Sequence, residues 1–198
     1  MKLTYLAHST FLLESDAGAR LVTDPVDKGS GYDLHHVKAD VVTISHHHFD
    51  HDALDQIGGD PAVIDTLGKQ VQNGFTITGF SAYHDEVKGQ KRGPNTLYKI
   101  EADGKTVVHL GDLGHDLDDA TVEALSGADA LLIPIGGRFT IDAEQAAALA
   151  ERLAPKAVIP MHYKTPQLTF EIAPLDPFLA AAKDLPVLAL GMGESVTL

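Results

Sequence analysis

Short apolar stretches bounded by turn residues predict strands at Lys2–Ala7, Phe11–Glu14 and Arg20–Thr23, with Asp16-Ala-Gly18 as a hairpin turn. A Gly-rich loop runs from Pro25 to about Lys38, and the apolar run Val41–Ser45 follows as a buried strand. The same reading gives strands at Ala62–Thr66, Phe75–Thr78, Phe80–Tyr83 and Leu97–Glu101. Asp103-Gly104 is a type I′ turn signal that joins Leu97–Glu101 to Thr106–Leu110. Ala130–Ile135, Ala157–Pro160 and Val187–Leu190 complete the strands. Helices are predicted at Asp52–Ile57, Leu117–Leu125, Asp142–Leu153 and Pro177–Lys183, the third opening with the capping-box pattern Asp142-Ala-Glu-Gln145. Hairpins first and strand–helix alternation later predict two sheets flanked by helices in one α/β domain spanning residues 1–198. No repeat, low-complexity tract or linker divides the chain.

Onto this scaffold the sequence places an unusual density of metal-competent side chains. In Ser45-His46-His47-His48-Phe49-Asp50-His51 an extended backbone puts His46, His48 and Asp50 on one side, with His47 on the other. His51 joins the first three where the chain turns toward the helix expected near Asp52. Four nitrogen and oxygen ligands within six residues can serve two adjacent divalent ions, and His-x-His-x-Asp-His arises by chance about once in 10⁴ chains of this length. A solvated His-rich loop is the bland alternative. It is weakened by His84, Asp112 and His162, each of which stands just past the C-terminal end of a predicted strand.

The matching pieces are Ser-His-His-His-Phe-Asp-His at 45–51, Tyr-His-Asp at 83–85, His-Leu-Gly-Asp at 109–112 and Pro-Met-His-Tyr at 160–163. With Leu6-Ala-His-Ser-Thr10 and Thr23-Asp-Pro25 they resemble the metallo-β-lactamase superfamily over nearly the whole chain. The stretches Arg92–Thr96, His109–His115 and Gly136–Asp142 look most like the branch containing ascorbate-6-phosphate lactonase and related metal-dependent hydrolases. The resemblance implies a four-layer αβ/βα sandwich with a metal site at one edge of its two sheets. It implies a first metal on His46, His48 and His84, a second on Asp50, His51 and His162, and Asp112 bridging both. Asp50 is also the candidate to pass a proton to the leaving group. Imidazole and carboxylate ligands suit zinc first, with manganese, iron or nickel as alternatives. The diiron oxidoreductase branch usually carries Glu where this chain has His48, which weighs against electron transfer.

The remaining candidates are softer. His8, near the first turn, divides between substrate contact and structural hydrogen bonding. Asp24 ends a strand and can orient a ligating histidine through its second ring nitrogen. His115 lies beyond the Gly-Asp-Leu-Gly turn and can face the cleft, whereas His109 is expected off the metal side; His35 and His36 are expected at the surface. Arg92 and Arg138 are the cations suited to bidentate capture of an anionic substrate group.

Composition then removes whole classes. With no cysteine, thiolate zinc fingers and iron–sulfur clusters are excluded. A net charge of −13 speaks against a nucleic-acid or anionic-membrane binder, although bound cations would reverse the local field for an anionic small molecule. No apolar run approaches the roughly 20 residues of a membrane span, and no targeting segment is evident, so a cytoplasmic location is expected. The leading expectation is a metal-dependent hydrolase of a small-molecule lactone, ester or phosphoester. A phosphodiesterase or nuclease on the same dinuclear core, and a metal-bound binding module without turnover, are the alternatives.

Overall fold

The computed structural model describes all 198 residues, Met1–Leu198. The first part of the chain forms β1 (Lys2–Ala7), β2 (Thr10–Glu14), β3 (Arg20–Thr23), β4 (Val37–Lys38), β5 (Val41–Thr43), β6 (Ile57–Gly58) and β7 (Ala62–Ile64). Then come β8 (Gly68–Gln72), β9 (Phe75–Tyr83), β10 (Pro94–Ala102), β11 (Lys105–His109), α1 (Asp119–Leu125) and β12 (Ala130–Pro134). Finally come α2 (Ala143–Leu153), β13 (Val158–Met161), α3 (Asp176–Ala181) and β14 (Ser195–Thr197). One six-stranded sheet has the order β14-β1-β2-β3-β5-β7 and the other β13-β12-β11-β10-β9-β8, while β4 and β6 pair separately.

The two sheets bury their facing surfaces against each other. Leu3, Tyr5, Leu13, Leu21 and Val41 of the first sheet meet Phe75, Ile77, Tyr98, Ile100 and Leu132 of the second in one apolar cluster. Each such fully buried side chain contributes about 1.5–3 kcal/mol of transfer free energy. The Tyr98 hydroxyl crosses this core to donate to the carbonyls of Ile44 (2.9 Å) and Ile64 (3.1 Å), tying β10 to the ends of β5 and β7. On the far side of the second sheet, α2 buries Ala146, Ala147, Leu149, Ala150 and Leu153, beside Phe178 of α3 and Leu125 of α1. Its capping box forms as the pattern predicts: Asp142 accepts from the Gln145 backbone N–H (2.9 Å) and the Gln145 side chain accepts from that of Asp142 (3.0 Å).

The αβ/βα arrangement is kept, with one outer layer thinned. The predicted helix Asp52–Ile57 is absent; a single 3-10 turn at Leu54–Gln56 leads into β6. The outer face of the first sheet is covered instead by irregular chain carrying Tyr32, Leu34, Leu168 and Ile172. The strand predicted at Val187–Leu190 makes only an isolated bridge at Val187, because it lies at the sheet margin with Leu188 and Ala189 exposed. Phe75–Tyr83 is one strand rather than two, since Gly79 does not break it. A Cβ there would lie 2.6 Å from the Thr66 carbonyl, so the glycine permits a close backbone approach. No helix is long and apolar enough to cross a membrane.

Candidate metal centre

Strand direction assembles the site. β1, β3, β5 and β7 share one direction in the first sheet, as do β9, β11, β12 and β13 in the second. The residues just past the C-terminal ends of β1, β3, β9 and β13 are His8, Asp24, His84 and His162, and Asp112 follows β11 by a short turn. Ser45–His51 leaves the end of β5. His8, Asp24 and His162 adopt left-handed backbone conformations (φ 52°, 36° and 51°), uncommon away from glycine, so each chain turns sharply out of its strand at the site. The His162 backbone N–H donates to the His8 carbonyl at 3.2 Å, joining the two sheets at this edge.

The segment Ser45–His51 is not the extended strand that the sequence suggests. It bends, and the backbone N–H groups of His51 and Asp52 close a turn on the His48 carbonyl (2.9 and 3.2 Å). The parity of the side chains nevertheless survives: His46, Asp50 and His51 are buried, His48 is half-buried, and His47 and Phe49 are exposed. His46, His48 and His84 offer ligand atoms within 4.8 Å of one another, and so do His8, Asp50, His51 and His162. Asp112 stands between the groups. Its Oδ2 is 3.2 Å from His84 Nε2, 3.1 Å from His162 Nε2 and 3.9 Å from His46 Nε2, and its Oδ1 is 3.2 Å from His51 Nε2.

Asp24 sets the tautomers. It accepts from the Ser45 backbone N–H (2.8 Å), the Ser45 hydroxyl (2.5 Å) and His51 Nδ1 (2.9 Å), so its oxygens are occupied and it orients rather than ligates. Because the Ser45 hydroxyl proton goes to Asp24, His46 Nδ1 must donate to Ser45 Oγ (2.9 Å), leaving its Nε2 lone pair free. Burial lowers the His46 pKa to about 3, and burial followed by the His162 charge lowers that of His8 to about 4; both rings are neutral, as ligation requires. Burial opposes ionisation of Asp112, yet His162 and His51 hold its carboxyl well below the usual range. His51 is raised despite its burial, because Asp112, Asp50 and Asp24 surround it.

A divalent ion answers a specific deficit here. Both ring nitrogens of His8, Nε2 of His46 and of His51, Nδ1 of His84 and of His162, and Oδ1 of Asp112 are buried without a hydrogen-bond partner. Unpaired buried polar atoms are costly, and seven of them within one histidine–carboxylate cluster fit a cation site. Above them opens a cavity of about 370 Å³, floored by His48, Asp50, His84, Asp112 and His162 and walled by Phe49, Phe139, Phe170 and Arg92.

The family model of the beta-lactamase superfamily domain matches residues 2–162, a span that holds every ligand-bearing position described above. The chain belongs to the beta-lactamase superfamily. Within it, a UPF0173 metal-dependent hydrolase of Pelotomaculum thermopropionicum is 32% identical, with 100% of each chain covered. A Thermotoga maritima crystal structure of a metallo-β-lactamase superfamily member is 41% identical, covers 90% of this chain and 84% of its own, and superposes with a TM-score of 0.76. Igni18, a metallo hydrolase of Ignicoccus hospitalis, is 26% identical, with 98% and 97% covered and a TM-score of 0.70.

Against this superfamily frame, several individual expectations change. His115 does not face the cavity. It lies in a separate depression with Asp116, Gln145 and Arg152, where its Nε2 accepts from the Tyr83 backbone N–H (3.1 Å) and its Nδ1 donates to the Asp116 carbonyl (2.6 Å). The His8 side chain does not line the cavity; its Nε2 lies 3.3 Å from Asp50 Oδ2, within the group formed with Asp50, His51 and His162. Arg92 lines the cavity and Arg138 does not. His109 is buried off the metal side, with Nε2 donating to the Ser9 carbonyl (2.9 Å) and Nδ1 accepting from the Gly111 N–H (3.0 Å).

Asp85, Asn95 and Gly111 were not singled out in the sequence. The Asp85 carboxylate accepts four backbone N–H groups, from Val87, Gly89, Lys91 and Arg92, at 2.8–2.9 Å. Although burial pushes its pKa up, those donors hold it down at about 2. The three-residue tract Tyr-His-Asp already contained it; the turn it organises was the missing signal.

The neighbours His47 and His48 make a matched test. His47 is exposed, 3.3 Å from Asp52 and 3.7 Å from Asp65, while His48 completes the His46–His84 group. His48→Ala is expected to lower metal content by one ion and turnover by about 10²-fold or more, with His47→Ala close to wild type. Equal losses in metal analysis and turnover would disprove the assignment of His48 to the centre.

Proposed function

We propose that this chain is a hydrolase that uses two divalent ions, zinc in the first place, to open the lactone, ester or phosphoester bond of a small molecule. The reading is carried by one observation: two buried histidine-rich groups with unpartnered ring nitrogens meet around a single carboxylate beneath an open cavity. His46, His48 and His84 would hold one ion, and Asp50, His51, His162 and His8 the other, with Asp112 shared. When bound, such a pair supplies Lewis acidity and lowers the pKa of water at the site toward neutrality.

The protein's own groups do the rest. Asp24, through Ser45 and His51, locks the rings so that their lone pairs face inward before any ligand arrives. Asp50 is ionised, as a carboxylate ligand must be: burial opposes this, but its neighbours His51 and His8 hold its carboxyl below the usual range, and a bound cation would do the same. It lines the cavity floor, where its carboxylate can take the proton released by the attacking water and return it to the leaving oxygen. The size of the cavity and the charge of −13 favour a small molecule over a nucleic-acid strand.

Protein stripped with a chelator and reloaded separately with zinc, manganese, iron or nickel should take up close to two ions per chain and regain turnover of lactones, aryl esters or phosphodiesters. A ceiling of one ion under every loading condition would reject the dinuclear reading. Two ions without any turnover would favour a metal-bound binding module instead.

A further inference from the structure

The walls of the cavity carry chemistry that the metal centre does not use. Phe49, Phe139 and Phe170 form a continuous aromatic surface, with ring centroids 6.3 Å (Phe49–Phe170) and 6.1 Å (Phe139–Phe170) apart. Phe49 is 60% exposed, and a large ring held in water beside a site marks a surface awaiting an apolar partner. At the end of this wall stands Arg92, its guanidinium 5.6 Å from the Phe139 centroid and 3.3 Å from the Arg138 carbonyl. Arg138 packs on the same ring at 5.2 Å.

Neither of these arginines has a carboxylate partner. The chain has four arginines: Arg20 pairs with Glu14 (3.7 Å), and Arg152 with Asp116 (2.6 Å) and Asp119 (3.0 Å). In a chain with 28 acidic residues, the two unpaired guanidinium groups are the two beside the cavity. Arg92 is also held in place from behind. Its backbone N–H is one of the four that Asp85 collects, so the loop that presents it is fixed before ligand binds.

We propose that the substrate is amphiphilic: an apolar, preferably aromatic, body lies along Phe49, Phe139 and Phe170, and an anionic carboxylate or phosphate group remote from the scissile bond is captured by Arg92. Both acids offer paired oxygens that match a guanidinium. This specificity rests on the hydrolase reading above. Bound cations would draw an anion to the cavity floor; Arg92 would instead hold one at the wall, away from the reacting bond.

The test is a series of phenyl butyrates bearing a para methyl, carboxylate or phosphonate group, assayed with the zinc-loaded protein. All three are butyrate esters of para-substituted phenols; comparing each ratio in wild type with the same ratio in Arg92→Ala cancels differences in leaving-group reactivity, and the two acids separate the sources of anionic charge. Wild type is expected to prefer at least one acid over methyl by about tenfold or more in kcat/KM, expressed in KM, and Arg92→Ala should reduce that preference to near unity. Phe49→Ala should raise KM for all three; both side chains lie at the surface, so folding is not at stake. A wild-type preference for the methyl ester, or an acid preference unchanged in Arg92→Ala, would overturn the proposal. If no ester is cleaved, the hydrolytic reading fails for esters, but calorimetry still tests this one. 4-Methylbenzyl alcohol and 4-carboxybenzyl alcohol, titrated into wild type and Arg92→Ala, should show the same Arg92-dependent preference, and equal ratios in the two proteins would refute it.

Discussion

Asp112→Asn is expected to leave a folded protein that holds at most one ion and turns over about 10³-fold more slowly, or worse. The side chain keeps its shape, so the loss isolates charge. Asp112 Oδ2 stands 3.2 Å from a nitrogen of one ligand group (His84) and 3.1 Å from a nitrogen of the other (His162), making it the one carboxylate shared by both. Two dications about 4 Å apart repel by roughly 17 kcal/mol even at an effective dielectric constant of about 20, so an anion between them decides whether both can stay. No other acid can replace it. Asp50 serves the second group, Asp24 is saturated by Ser45 and His51, and Asp118 caps α1 through the Thr121 N–H. Metal stoichiometry and turnover of Asp112→Asn beside His162→Ala decide the point, with the aspartate variant the worse of the two. Two ions retained in Asp112→Asn at wild-type affinity would remove Asp112 from the bridge.

The parts of this architecture that were legible in the sequence share a physical cause. Lys2–Ala7 and Arg20–Thr23 have the expected bounds because central strands bury apolar runs. The β10–β11 turn was legible because Asp103 and Gly104 both need positive φ (54° and 69°). Edge strands left little trace. β8 is exposed along almost its whole length, so no apolar pattern marked Gly68–Gln72, although the Asn73-Gly74 turn that ends it was a usable signal. The site divides in the same way. His46, His48, Asp50 and His51 announced themselves by spacing, and His84, Asp112 and His162 by their position past strand ends. His8 did not, because its place beside Asp50 and His51 depends on a neighbour 154 residues away, His162, whose backbone N–H reaches the His8 carbonyl. Arg92 and Arg138 looked equivalent as surface cations; only the packing of Phe139 put the first in the cavity and the second behind it.

Gly111→Ala is expected to damage the metal centre as severely as the loss of a ligand, without touching a charge or a ligand atom. Gly111 has φ +52°, and a Cβ there would lie 2.4 Å from Asn95 Oδ1, 2.6 Å from Ser45 Cβ and 2.7 Å from Ser45 Oγ. None of these can swing away, because Asn95 and Ser45 are both buried. Asn95 spans the turn, accepting from the Asp112 N–H (2.9 Å) while its amide donates to the Leu110 carbonyl (2.9 Å). Ser45 holds His46 directly and Asp24 through its hydroxyl, and Asp24 in turn holds His51. One methyl group therefore pushes on the supports of three of the proposed ligands, His46, His51 and Asp112, at once. Strain and overpacking together should cost about 3 kcal/mol, a fall in Tm of roughly 6–12 °C for a chain of this size. Gly104→Ala is the control, since Gly104 is equally left-handed (φ +69°) but has nothing within 4 Å of the added carbon. That variant should lose only about 1–2 kcal/mol of backbone preference and keep both ions. Calorimetric Tm and metal affinity measured on the pair separate the effects. If Gly111→Ala binds two ions as tightly as Gly104→Ala does, then Asn95 and Ser45 do not position the centre.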